Sequence, residues 1–422
     1  MDNTYLFYGN GPVPIPCRGG FETRPYLPYP FYGNAPVPIP KDPDSNSREY
    51  NRRKYLLVII SLLMGLGYLL AMALYLSVPL REWATSTSGG YYLQVALYYT
   101  AFFWLYLIIS LPLEFYSGFV LEHRYGLSHQ GLGDWAKEGL KGTLLAFGLS
   151  LLMVEVLYFI LYNYTEYWWL MAGSVFTLFA LVMAGLAPVL ILPLFYKSTP
   201  IEDEALRGLL VPMAREAGLD LGGVFKIDLS KNTRKANALL AGLGKTRRVI
   251  FSDTLLESFT PQEIQVVFAH ELGHHVHRHI QKLLLIGSLT VFAGLALADY
   301  LLRHVIPLFH LAGAYSHALG RFALANNTPL HDVATFPVFL LITGAFALLL
   351  LPLENAYSRH LERQCDLYAL DKTRNPQAFI SAMEKLADKN LADRNPGSLV
   401  EYLFYDHPPI SKRIEMARSR RL

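Results

Sequence analysis

His270, Glu271 and His274 stand in an HExxH arrangement, His270-Glu271-Leu272-Gly273-His274. On a helix, residues four apart share a face, so both imidazoles can reach one zinc ion, with Glu271 beside them as a base for water. That set performs metal-assisted hydrolysis. The chemistry requires the helix, because a strand or loop would not aim both rings at one ion. Thr260, Pro261 and Glu263 announce that helix as an N-cap, a first-turn proline and a reciprocal capping carboxylate. Taken alone, the motif also fits a solvated helix face that carries these letters by chance. His275 and His279 repeat the spacing, with His277 between them. Val276 follows His275, however, and valine cannot accept a proton from water. His275, His277 and His279 are therefore expected at the polar surface or membrane edge.

A catalytic zinc commonly has three protein ligands and one open position, so a further donor must come from elsewhere. Ser358-Arg359-His360-Leu361-Glu362-Arg363-Gln364-Cys365-Asp366 continues an apolar helical pattern and sets Glu362 and Asp366 on one face. Glu362 as third ligand, with Asp366 orienting a ligand histidine, would complete a His-His-Glu site for one Zn2+ per chain. Ahead of the motif, 204–217 reads as helix and 224–229 and 248–251 as strands, with Asn237 and Ala238 between them. An extended edge here could hold a substrate strand through main-chain hydrogen bonds; an ordinary packing hairpin fits equally well.

The elements that must position these groups lie largely in a membrane. The 422 residues are 52% hydrophobic, 13% aromatic and only 17% charged, which excludes an ordinary soluble protein. Apolar runs at 55–80, 93–113, 143–162, 169–196, 283–302 and 333–353, several of them uncharged, are of the length needed to cross a bilayer. The first follows Arg52, Arg53 and Lys54, and with that cluster inside, all Lys and Arg except Arg81, Arg303 and Arg321 fall on the cytoplasmic face with the motif. Glu114, Glu155, Asp299 and Glu354 lie within or beside these spans and are expected to line a water-filled interior, or else to pair with basic residues near the surface. A net charge of +3 gives no case for nucleic acid, and Cys17 and Cys365 offer no disulfide framework. Residues 7–16 and 31–40 form a near-duplicate, FYGNGPVPIP and FYGNAPVPIP, in a Pro-, Gly- and Tyr-rich segment expected to be a flexible tail. The organisation read from the chain is a tail at 1–50, four spans at 51–196, a metallopeptidase segment at 197–282, two spans at 283–354 and a C-terminal segment at 355–422.

Several ordered motifs resemble the type I CAAX prenyl protease family: HELGH, the SRxxExxxD pattern, PLFYKSTPIED at 193–203, EHRYG at 122–126, RVIFSDTLL at 248–256 and His407-Pro408-Pro409. The resemblance is collinear from about 55 to the C-terminus. It implies a mainly α fold, a polytopic helical barrel enclosing a chamber and capped on the cytoplasmic side by a gluzincin-like zinc metallopeptidase domain with a small β part. It places the third ligand on Glu362, gives Asn237, with Ala238 beside it, and His407 to the substrate backbone or developing oxyanion, and makes Arg413 a brace. It also implies a peptide or protein substrate, prenylated at its C-terminus, reached from membrane lipid in a bacterial inner membrane or an ER-type membrane. Three positions depart from the family: Cys365 where alanine is usual, His275 for tryptophan and Leu239 for an aromatic residue. Six spans are read where the family typically has seven. The alternatives are a membrane-protein quality-control protease of the HtpX type and, from another class, a transporter or scaffold with structural zinc.

Overall fold

The computed structural model describes residues 43–219, 223–242, 248–305 and 329–420. Each apolar run becomes a helix, in five of the six cases one longer than the run itself. The six long helices are α1 (Asp44–Thr87), α2 (Tyr91–Arg124), α3 (Leu132–Asn163), α4 (Trp168–Phe195), α8 (His279–His304) and α9 (Val333–Thr373). Between α4 and α8 lie α5 (Glu204–Glu216), α6 (Asp253–Ser258) and α7 (Pro261–Val276), and after α9 come α10 (Pro376–Asn390), α11 (Ser398–Phe404) and α12 (Ile410–Ser419).

The long helices close a ring: α1 packs on α2, α2 on α3, α3 on α4, α4 on α8, α8 on α9, and α9 returns to α1. Only 6% to 28% of each span's most apolar window is buried inside the protein. In a solid bundle the inward faces would be covered by neighbouring helices and the buried share would be larger. The small share is the signature of a hollow barrel, and the fold class expected from the sequence is borne out.

One end of the barrel is plugged. The C-terminal parts of α1, α3 and α8 meet the N-terminal parts of α2, α4 and α9 in a cluster of Tyr68, Tyr98, Phe102, Tyr158, Trp168, Leu295 and Phe336. The Phe102 and Phe336 rings meet edge to face at 5.2 Å. Trp168 donates to Asp299 (2.5 Å), which also pairs with Arg303 (2.6 Å). Asp299 thus follows the pairing reading. Glu114 accepts from Ser110 (3.1 Å) beside a cavity of about 170 Å³, and Glu155 keeps a buried oxygen without a hydrogen-bond partner among the described residues.

The other end is capped by the metallopeptidase segment. Its sheet comprises β1 (Ser198–Pro200), β2 (Val224–Ile227), β3 (Ala238–Ala241) and β4 (Arg248–Ser252) in the order β1-β2-β4-β3. β2 and β4 are parallel and the outer pairs antiparallel, which leaves β3 at an edge. Alternation along β4 sends Val249 and Phe251 into the core with Phe268 and Leu210, and Ile250 to the opposite face with Ile227 and Leu192. A buried carboxylate ties cap to barrel: Glu122 of α2 accepts from Tyr50 (2.7 Å) and pairs with Lys54 of α1 (3.1 Å) and Lys235 ahead of β3 (2.9 Å).

Two divisions read from the sequence fall inside helices. The first helical segment begins at Pro43, so 43–50 extends α1 and is not tail; Asp44 in its first turn suits the positive helix end, and Glu49 and Arg53 pair at 2.6 Å one turn apart. The repeat and Cys17 lie outside the described residues. The division at 354/355 lies within α9, whose 41 residues extend about 60 Å, twice the hydrocarbon thickness. One helix therefore crosses the membrane and carries Glu362 and Asp366 into the cap.

Candidate active site

α7 begins as the sequence announces. Thr260 Oγ1 accepts from the Glu263 amide (3.4 Å) and Glu263 returns the bond to the Thr260 amide (2.7 Å). Glu263 also accepts from Ser381 (2.5 Å) and Lys385 (2.7 Å) of α10, so the cap fixes the helix to its neighbour. Burial pushes the Glu263 carboxyl up, but Lys385, Ser381 and the Thr260 amide outweigh it and hold it below the ordinary carboxylate value.

Gly273 has a packing role within the motif. A Cβ there would stand 2.9 Å from the Cys365 Cα, so only glycine lets α7 and α9 approach this closely. This contact brings the two halves of the site together. His270 Nε2 lies 3.1 Å from Glu362 Oε2, and His274 Nε2 lies 3.3 Å from Glu362 Oε1. Two ligand atoms bonded to a tetrahedral zinc at 2.0–2.1 Å stand about 3.3 Å apart. Both histidine–carboxylate pairs have that spacing, and the buried Glu362 Oε2 lacks a regular hydrogen-bond partner among the described residues. Two neutral imidazoles and a carboxylate are a donor set suited to zinc, so the residues present fit the ion. Cys365 Sγ lies within 4.8 Å of ligand atoms on both histidines. Its near neighbour is His279 Nδ1 at 3.4 Å, and burial raises its thiol above the ordinary cysteine value, which disfavours the thiolate that would bind a metal.

Around these groups the structure brings together nearly every residue singled out in the sequence. Asp366 accepts from His270 Nδ1 (3.0 Å) and is held by two bonds from Arg413 on α12 (2.8 and 2.5 Å). Burial of His270 disfavours its protonated form, but Asp366 and Glu362 outweigh this and push it up to about 10. The field that attracts a proton there attracts a metal cation equally. His407 Nε2 lies 3.3 Å from Glu362 Oε2, and its Nδ1 is 2.8 Å from Asp406. Desolvation opposes protonation of His407, while Glu362 and Asp406 raise its pKa above the ordinary histidine value. Its loop is tied to the barrel, with Arg359 donating to the carbonyls of Glu401 (3.0 Å) and Tyr405 (2.5 Å) and Asn355 to that of Leu403 (2.7 Å).

Glu271 accepts from the Leu240 amide at 3.0 Å, which places the base against edge strand β3. Burial raises the Glu271 carboxyl; the two histidines partly offset this and Glu362 adds to it. Asn237 precedes β3 with an exposed side chain, and its backbone is fixed by Ser252 through an amide-to-hydroxyl bond (3.0 Å) and a carbonyl-accepted bond (2.9 Å). Ala238 opens the strand, opposite Phe251.

One expectation is corrected. His279 is not at the surface: it is fully buried, with Nδ1 3.2 Å from His274 Nδ1. The cause is a sharp reversal after α7, where Arg278 adopts a left-handed conformation (φ 55°) and folds the chain back so that α8 starts beneath His274. His275 and His277 remain partly exposed. The Leu240 amide was invisible in the sequence because any residue supplies one; Asp406 could have been found from its adjacency to His407.

Comparison with known proteins agrees with this architecture. Residues 200–421 match the profile of peptidase family M48, and 38–197 match the CAAX prenyl protease N-terminal region described as five membrane helices. CAAX prenyl protease 1 of Saccharomyces cerevisiae is 31% identical over 73% of this chain and 68% of its own length. An uncharacterized metalloprotease of Bacillus subtilis, YhfN, is 27% identical over 81% of this chain and 77% of its own. The crystal structure of S. mikatae Ste24p superposes with a TM-score of 0.77, covering 90% of this chain and 91% of that one at 24% identity. Motif order, helical ring and sequence similarity converge: the chain belongs to peptidase family M48 and is an integral membrane metalloprotease of the CAAX prenyl protease type.

Proposed function

We propose that the protein is a zinc endopeptidase that removes the C-terminal tripeptide of prenylated CAAX peptides, with His270, His274 and Glu362 as metal ligands. The observation that carries the reading is the placement of Glu271 between the convergent histidines and edge strand β3, tethered to it at Leu240. A base so held faces any peptide bond laid along that edge. When bound, zinc supplies a Lewis acid and an acidified water.

The chain's own residues supply the remaining steps. Main-chain pairing with β3, starting beside Asn237 and Ala238, holds the peptide without reading its side chains. Glu271 takes the proton of the attacking water and delivers it to the leaving amine. His407, with Asp406 on Nδ1 and its charged form favoured, donates from Nε2 to the developing oxyanion. Arg413 and Asp366 hold His270 in its ligating orientation. The barrel interior takes the lipid portion of the substrate, and the name carried by the yeast relative supports the prenyl assignment. The distribution of Lys and Arg supports a cytoplasmic active site in a bacterial inner membrane or an ER-type membrane.

The test is cleavage of a farnesylated CAAX peptide and its unprenylated counterpart by detergent-purified wild type and Glu271→Gln, with the cut located by mass spectrometry. Glu271-dependent release of the last three residues, faster with the lipid, supports the assignment. Equal cleavage of both peptides, or cuts at scattered sites, replaces it with a quality-control role.

A further inference from the structure

The two histidines of the motif are backed differently. His270 rests on a carboxylate, Asp366, itself held by Arg413. Among the described residues no carboxylate hydrogen-bonds His274 Nδ1, which faces a second imidazole, His279 Nδ1, at 3.2 Å. Beyond that, His279 Nε2 lies 3.1 Å from Gln364 Oε1, and Gln364 Nε2 lies 3.0 Å from His360 Nε2.

With His274 Nε2 given to a metal, these contacts set where each proton must lie. A histidine that offers Nε2 to a metal carries its hydrogen on Nδ1 and must donate it. His274 Nδ1–H then points at His279 Nδ1, which can accept only if His279 carries its own hydrogen on Nε2. The Gln364 carbonyl oxygen takes that hydrogen, and the Gln364 amide in turn donates to His360. Donor meets acceptor at every link. The Cys365 thiol, 3.4 Å from His279 Nδ1, is a weaker donor than an imidazole N–H and does not displace His274. The backbone makes this contact possible: Arg278 in the left-handed region, which non-glycine residues rarely adopt, turns the chain so that His279 lies under His274.

We infer that His279 is a positioning residue for the metal site, an imidazole relay that locks His274 in its ligating tautomer and orientation as Asp366 locks His270. The inference rests on the reading of His274 as a zinc ligand. Gln364 is the second member of the relay, and the sequence pattern hides both because their partners come from different helices.

The test measures zinc affinity of the detergent-purified full chain by competition with a chelating fluorophore, alongside elution profile and kcat/KM at saturating zinc. His279→Leu should weaken zinc binding by about 10- to 100-fold. His279→Asn, whose amide oxygen can take the place of Nδ1 as acceptor, should recover most of that loss, and Gln364→Leu should show a smaller loss of the same kind. Wild-type zinc affinity in His279→Leu, or equal loss in the Leu and Asn variants, overturns the relay. If His279→Leu elutes as aggregate, Gln364→Leu decides, and wild-type affinity there overturns the inference. His274→Ala separates the two readings: unchanged zinc affinity in that variant overturns the ligand assignment, whereas loss of zinc in it beside an indifferent His279→Leu overturns only the relay.

Discussion

The two ends of the barrel are closed by opposite means. At the far end, Tyr98, Tyr158, Trp168 and Phe336 fill the lumen with buried aromatic surface, and polar contacts such as Trp168 to Asp299 serve to satisfy single groups. At the catalytic end, closure is directional: Glu122 with two lysines and Tyr50, Asp366 with Arg413, and Glu263 with Lys385 each bind two elements at defined geometry. Apolar packing is tolerant of orientation, so it suits a plug whose task is to fill space. Hydrogen-bonded ion pairs fix angles and distances, which a metal site requires. Damage at the first end should therefore appear as lost stability, and damage at the second as lost chemistry.

The largest effect expected from this contrast is that of Glu271→Gln. Turnover should fall by about 10⁴-fold, roughly 5 kcal/mol of barrier, with zinc retained and thermal unfolding unchanged; retained turnover would sink the role given to the base. Trp168→Ala should behave in the opposite sense. Removing a fully buried aromatic is expected to cost about 3–5 kcal/mol of stability, read from thermal unfolding in detergent, while the kcat/KM of the folded fraction stays near wild type. A specific loss of turnover there would break the division of labour between the ends.

Asp366→Asn comes next. It keeps the shape of the side chain but removes the charge that holds His270 and Arg413, and should lower zinc affinity by about 10- to 100-fold in a chelator competition. An unchanged affinity would make Asp366 a packing residue. The smallest effect is that of Glu263→Gln, about 1 kcal/mol from a weakened capping box. Because the Glu263 pKa is lowered on folding, its contribution is fully present above the ordinary value of 4.5 and is lost as pH falls through the folded value. The stability gap between wild type and Glu263→Gln should accordingly narrow on acidification below about 4.5. A gap that widens on acidification would reverse the sign of this linkage.

How much was legible follows from the range of each interaction. The six spans were read because a bilayer demands a contiguous apolar run, and the start of α7 because a capping box closes within four residues. Their full lengths were not, since α9 continues into the cap on helical residues that no longer face lipid. Asn237 and Ala238 could be placed near an extended edge, but only strand order makes β3 the edge and aims the Leu240 amide at Glu271. The assignment of His279 to the surface failed for a related reason. His279 belongs to the next helix, beyond a left-handed turn, so spacing along α7 does not describe its surroundings.

Residues close together along the chain suffice for the membrane class, the helix carrying His270, Glu271 and His274, and the pattern holding Glu362 and Asp366. Tertiary structure decided which groups stand behind the ligands. Glu362 reaches both histidines because Gly273 admits Cys365 at contact distance, Arg413 reaches Asp366 from a helix 47 residues away, and Gln364 meets His279 across 85. Such pairings arise from the packing of rigid helices. No local periodicity encodes that packing, since it is set by the shapes of both surfaces at once.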